Sequence, residues 1–212
     1  TGSNKVDAWV RFANTVKLKA HLNAGNASAF NEIITNAKII SSDEYDFTFA
    51  YGTNDINPDT RHPDYVGNYD QGSASAYMSV NYMNMLLNDK EIPDPRLRYY
   101  MYRQVTEDTD DFNENSCISE FPPAHFQLDD PFCLLGDGWW GRDHLINDGI
   151  PPDGNLRTTF GVFPAGGQFD NDQGRTVAKG IGLAGEGIRP ILMSYHTWFM
   201  VAEGLLSLNN DP

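Results

Sequence analysis

Two adjacent indoles, Trp139 and Trp140, followed closely by Arg142, Asp143 and His144, form the densest set of ligand-competent groups in this 212-residue chain. They lie in LGDGWWGRDHLINDGIPPDGNLRTTFGVFPAGGQFDNDQG, residues 135–174, which shows no sustained helical or strand periodicity. Irregular stretches this long in compact domains are usually functional or disordered. The recurring Leu, Ile, Phe and Val residues argue against disorder. Indole faces stack on sugar rings or peptide side chains, and a neighbouring Arg and Asp add directional hydrogen bonds. The expected ligand-binding residues are therefore Trp139, Trp140, Arg142 and Asp143, with at least one indole facing outward. The alternative is that the rings plug a join between loop and helices. A sugar face of roughly 60–80 Å² laid on each ring contributes about 1.5–2 kcal/mol. Two such contacts give roughly millimolar binding, which suits capture.

No catalytic residues stand out. The chain lacks G-x-S-x-G, H-E-x-x-H and a phosphate-binding loop. Its carboxylates have no spacing that marks an acid–base pair, because separation in space decides that chemistry. None of the five histidines stands at metal-ligand spacing from another. Asp55-Ile56-Asn57-Pro58-Asp59 and Asp170-Asn171-Asp172 resemble the start of calcium loops. Such loops need Gly at position six and Glu at twelve, where this chain has Thr60 and Val66, then Arg175 and Ile181. Gly180-Ile181-Gly182-Leu183-Ala184-Gly185 matches G-x-G-x-x-G, but Glu186-Gly187-Ile188-Arg189-Pro190 cannot open the helix that a dinucleotide site requires. It reads as a linker. No metal or cofactor is expected. Cys117 and Cys133 fit either a disulfide or two buried thiols, without zinc-ligand spacing.

The elements that must position these groups are mainly helical. Residues 4–24 predict a helix, capped by Ser3 or Asn4 and ended by Gly25, with Val6, Trp9, Val10, Ala13, Val16 and Ala20 as the buried stripe. A second helix over 27–40, with Phe30, Ile33, Ile34 and Ala37 inward, should pair with it as a hairpin. Residues 45–51 alternate like a strand before dissolving into turn formers. A third helix is expected from Ser73 to Leu87, then a turn at Asp94-Pro95-Arg96 and a strand over 97–105. The last helix spans 191–208, with Trp198, Val201, Ala202, Leu205 and Leu208 inward. The whole reads as one domain, residues 1–212, helical over 1–41, 73–90 and 190–208 and irregular over 42–72 and 91–189.

Fifteen basic against 29 acidic residues give a net charge of −14. That disfavours nucleic acid and an anionic membrane, unless a lipid anchor lies outside this chain.

Several segments resemble the SusD/RagB family of outer-membrane lipoproteins. They are Trp9-Val10-Arg11-Phe12-Ala13-Asn14-Thr15-Val16-Lys17-Leu18-Lys19, Asp94-Pro95-Arg96, Gly141-Arg142-Asp143-His144, Pro151-Pro152-Asp153-Gly154, and Arg157 to Gly167 (RTTFGVFPAGG). Pro190-Ile191-Leu192-Met193-Ser194-Tyr195 leading to Ala202-Glu203 is similar to the family's late helix, with His196 or Thr197 where an acidic residue is common and Gly204 in place of alanine. The resemblance implies tetratricopeptide-like helix pairs with a long irregular insertion and a few short strands. It implies a noncatalytic, lipid-anchored lid over a SusC-like TonB-dependent transporter, binding glycans or peptides on the outer face of the cell outer membrane. On that basis this chain is expected to be part of a longer protein. The family's binding residues vary with ligand, so none is carried over. The competing readings are a glycoside hydrolase using loop carboxylates and a structural or adhesive surface protein.

Overall fold

The computed structural model describes residues 5–72, 74–109, 121–127, 130–143 and 153–209. Ser3, Asn4, Cys117, His144 and residues 145–152 lie outside the described residues. The elements are α1 (Lys5–Asn23), α2 (Ala27–Asn36), β1 (Phe47–Ala50), α3 (Pro63–Tyr69), α4 (Val80–Leu87), α5 (Leu97–Tyr100), β2 (Met101–Tyr102), β3 (Thr159–Phe160), β4 (Ile188–Leu192) and α6 (Ser194–Asn209). The expectation of a mainly helical fold with a few short strands holds. The chain divides into two compact units, Thr1–Phe49 with Arg189–Pro212, and Ala50–Ile188. The division follows from packing: the first and last helices share one core, while the irregular middle builds its own. Among the described residues no helix is long and apolar enough to cross a membrane.

In the first unit, α1 ends where Gly25 takes a positive φ of 68°. The amides of Gly25 and Asn26 then return to the carbonyls of Leu22 and His21, the double closure that glycine permits at a helix C-terminus. The Asn26 side chain accepts from Ala29 N and caps α2. Leu18 and Leu22 of α1, Phe30 and Ile33 of α2, and Ile39 form the core, with Met200, Val201 and Leu208 of α6 packed against it.

The predicted α1 stripe is corrected. Val6, Trp9, Val10 and Val16 are exposed, and Thr15, Leu18 and Leu22 are buried instead. The helix carries apolar residues on two faces, and the shorter one meets α2 and α6. Thr15 is buried because its hydroxyl donates to Arg11 O and accepts from Ile40 N. On α6 the inward row is Thr197, Gly204 and half-buried Val201 and Leu208, while Trp198 is exposed and its indole donates to Ser41 O. A Cβ at Gly204 would lie 2.1 Å from the Phe30 ring, so the close approach of α6 to α2 requires glycine there. Strands β1 and β4 pair as a two-stranded sheet.

In the second unit, β2 and β3 pair antiparallel with Met101 opposite Phe160 and Tyr102 opposite Thr159. Of the expected strand over 97–105, the first four residues are a short helix, α5, and only Met101–Tyr102 form a strand, β2. The helix α3, inside the stretch read as irregular, starts at Pro63, with the His62 ring nitrogen accepting from Asp64 N. Proline suits the first helical position because its missing N–H would have no partner there. The third predicted helix begins late: Ser79 caps it at Val80, and Val80, Met83 and Leu86 face inward. Separate clusters gather Met78, Met83, Leu86, Leu97, Met101 and Trp139, then Tyr65, Tyr69, Tyr102 and Val177, then Cys133, Trp140 and Leu156. Cys133 is disulfide-bonded. The glycine-rich segment 180–185 forms turns, with positive φ at Gly180, Gly182 and Gly185, and no helix opens within it.

Phe30 is fully buried at the centre of the first unit's core. Phe30→Ala is expected to cost about 3–5 kcal/mol of that unit's stability, measured by urea unfolding followed by far-UV circular dichroism. A loss below about 1 kcal/mol would show that α1, α2 and α6 do not depend on this core.

Candidate functional site

The sequence-predicted platform does not form. Trp139 is 4% exposed and Trp140 is 1% exposed, so neither indole presents a face to a ligand. Both are buried because the chain is extended there, with Leu134 bridged to Trp140. Successive side chains of an extended segment point to opposite sides, and each indole enters a different cluster. Trp140 is anchored by its backbone N–H to Thr158 Oγ1 and by Thr158 N to its carbonyl. Arg142 is also buried, with its guanidinium carbon 5.2 Å from the Tyr77 ring centroid and 5.8 Å from that of Trp140. Its backbone bonds to Met78 and Val80 brace the start of α4. Asp143 is half-buried and takes a 2.6 Å contact from His125 Nε2 and a 3.3 Å bond from Asn81 Nδ2. The four residues thus share no ligand-facing surface.

What the structure does expose is a different aromatic pair in the same unit. Tyr99 on α5 and Phe169 in the loop after β3 have ring centroids 4.7 Å apart with planes inclined at 59°, and they are 51% and 40% exposed. Backbone bonds hold them: Asp170 N to Arg98 O, Phe163 N to Tyr99 O, and Gly161 N to Tyr100 O. Gly161 permits this approach, since a Cβ there would stand 2.4 Å from Tyr99 O. The Arg98 guanidinium carbon lies 5.4 Å from the Phe169 centroid, and Arg98 is ion-paired to Asp172.

Arg98 leads through Asp172 into a network whose far end, Arg103 and Asp170, is buried. Arg103 donates Nε and Nη2 to the two oxygens of Asp170 at 2.8 and 3.0 Å, and Nη1 to Asp137 O at 2.9 Å. It also contacts Asp172. Its guanidinium carbon lies 4.6 Å from the Trp139 ring centroid. Trp139 is thus the floor under Arg103, Arg103 fixes Asp170 and Asp172, Asp172 fixes Arg98, and Arg98 lies against Phe169.

Charge in this network is matched, two guanidinium groups to two carboxylates. Burial pushes the Asp172 carboxyl up, but the hydrogen bond from Arg103 and the charges of Arg98 and Arg103 outweigh it and hold the group below its ordinary value. For Arg103, burial lowers the pKa, and the hydrogen bond and charge of Asp170 more than reverse it. Neither calcium-like fragment offers a free carboxylate set. Asp55 pairs with Lys179, Asp59 with Arg61, and Asp170 and Asp172 with the arginines just described. Among the described residues no group of three or more His, Cys, Asp or Glu side chains could hold a metal ion.

The tyrosines at 99 and 100 and the phenylalanine at 169 were visible in the sequence, but as parts of a presumed strand and a loop. Only the β2–β3 pairing brings the two stretches together. No family model, curated protein or solved structure matches the chain.

The carboxylates set the acid response. Asp59 is held down to about 2 by hydrogen bonds from Arg61. Asp94 lies lower still, held by Arg96 and then Lys90, and Asp172 is also lowered. Each therefore binds protons less readily folded than unfolded, so its stabilisation is complete above about pH 4 and fades as pH falls through the lowered value. Thermal midpoints are expected to be insensitive to these groups from pH 7 to 5 and to drop below pH 4. The decline should be shallower in a combined Asp59→Asn, Asp94→Asn, Asp172→Asn variant; parallel declines would show that other groups govern acid unfolding.

Proposed function

We propose that this protein is a noncatalytic carbohydrate-binding subunit of a cell-surface nutrient importer. The observation that carries the reading is the exposed Tyr99–Phe169 pair, set beside the Arg98–Asp172 ion pair and anchored by backbone bonds on both sides. Two inclined ring faces accept the C–H face of a sugar, and the guanidinium and the tyrosine hydroxyl offer hydrogen bonds to its hydroxyl groups.

The carboxylates nearest the rings favour binding over hydrolysis. A glycoside hydrolase needs one carboxylic acid kept protonated to serve the leaving group. Asp170 and Asp172 are both engaged by arginine, and Asp172 is shifted in the opposite direction.

The motif resemblance adds the biological setting: a SusD-like, lipid-anchored protein on the outer face of the outer membrane, acting as the lid of a SusC-like TonB-dependent transporter. The hairpin of α1 and α2, with α6 packed on both, is compatible with the tetratricopeptide-like pairing that this reading carries. The anchor would lie outside this chain, and the ligand would be a glycan or, less in keeping with the aromatic pair, a peptide.

Tyr99→Ala and Phe169→Ala are each expected to weaken glycan binding about 10–30-fold, the loss of about 1.5–2 kcal/mol of stacking, with the melting temperature little changed. A glycan array identifies the ligand, and isothermal titration calorimetry gives the affinity. Release of cleavage products from any glycan would overturn the noncatalytic reading, and full retention of binding in both variants would move the site elsewhere.

A further inference from the structure

We propose that the Tyr99–Phe169 surface selects uncharged sugar rings and discriminates against acidic ones, such as uronates and sulfated sugars. This rests on the binding reading above and adds the ligand's charge class. Three observations converge on it.

The first is the state of the cation at the site. Arg98 is the guanidinium beside the rings, and it is already bonded to Asp172. Only its Nη2 is engaged, so its other N–H groups can still meet a neutral hydroxyl, but an acidic sugar would have to share the cation with the carboxylate already on it. That carboxylate cancels much of the attraction the guanidinium would otherwise offer an anion.

The second is the local balance. Arg98 and Arg103 face Asp170 and Asp172, so the network joined to Arg98 has no surplus positive charge to offer an anion. Arg98 also lies against the Phe169 ring, occupying the position from which a ligand cation would approach that aromatic face.

The third is the net charge of the unit that carries the site. Residues 50–188 carry 22 acidic and 9 basic side chains, a net of −13, while the other unit carries 7 and 6, a net of −1. Nearly all of the protein's excess negative charge is therefore on the unit that bears the rings. An approaching anion is repelled over about 8 Å at physiological ionic strength and over about 30 Å at 0.01 M. A neutral ring feels none of this and keeps its stacking contact.

The test is a glycan array of neutral oligomers of glucose, mannose, galactose and xylose beside galacturonate, mannuronate and sulfated galactose oligomers of matched length. Neutral glycans are expected to bind, and acidic ones at least about tenfold more weakly at 10 mM salt, with the gap narrowing at 0.5 M. In Asp172→Asn the ratio of neutral to acidic binding should fall, because Arg98 becomes available to an anion. Acidic oligomers binding as well as neutral ones, a gap indifferent to salt, or an unchanged ratio in Asp172→Asn would overturn the proposal while leaving glycan binding intact. Absence of binding to every glycan, or capture of peptides alone, would overturn the reading on which it rests and this inference with it.

Discussion

The ion pair between Arg103 and Asp170, laid on the indole of Trp139, is the interaction on which the second unit's surface depends. Both partners are almost wholly buried. Removing two charges from water costs several kcal/mol per ion, and only near-complete hydrogen bonding offsets it. Here the carboxylate receives Arg103 Nε, Nη2 and backbone N, and also Asp172 N, while Arg103 Nη1 goes to Asp137 O. The flat guanidinium covers the ring, so one face of the cation meets a π surface. Three stretches remote in sequence, around residues 103, 139 and 170, are fixed to one another by this single side chain. Lysine could supply the charge at position 103, but not the planar fork that satisfies two carboxylate oxygens and a carbonyl together.

This arrangement explains why the paired tryptophans looked like a binding site and are not one. Aromatic residues flanked by glycine and charge have the same composition whether they face solvent or hold up a buried ion pair. The deciding fact is conformational. The chain around Trp140 is extended, the turn before it closes through Trp139 N to Gly136 O, and the two indoles diverge into separate cores. At Gly138, whose φ is 76°, a Cβ would stand 2.1 Å from Val105 O, so the turn presses directly on the neighbouring chain. That proximity is between residues more than thirty positions apart, and no local pattern announces it.

Where structure is governed by local rules, the sequence was a good guide. The start of α2 at Ala27, the stop of α1 at Gly25, the Asp94-Pro95-Arg96 turn with Asp94 accepting from Arg96 N, and the turns in place of a helix over residues 180–185 all follow from backbone chemistry within a few residues. Misreadings cluster where a neighbour decides. Helix α1 has two apolar faces, and only the position of α2 and α6 selects Leu18 and Leu22 over Trp9 and Val16. Residues 97–105 read as a strand because they are rich in tyrosine, yet Leu97 N and Tyr100 N return to Asp94 O and Arg96 O, and the turn winds residues 97–100 into α5. The helix α3 was missed because its seven residues hold two tyrosines, a glycine and an asparagine rather than a periodic aliphatic stripe, although His62-Pro63 carried its start signal. The exposed ring pair was missed because 70 residues separate its members.

Under the proposed carbohydrate-binding role, the geometry of the pair bears on how a weak site can be useful. Tyr99 and Phe169 each have few rotatable bonds, and backbone bonds from both stretches hold their positions, so a ligand orders little of the protein when it docks. Affinity then follows contact area, and two ring faces give binding near the millimolar range. For a single sugar that would be poor. For a polymer the same unit recurs along the chain, so dissociation from one ring is followed by rebinding of the next at high effective concentration. Loose, rapidly renewed contact with a repeating ligand is what a surface that hands cargo onward requires, whereas a deep pocket would retain it. Under that reading, a charge-balanced aromatic face held by backbone bonds suits the requirement.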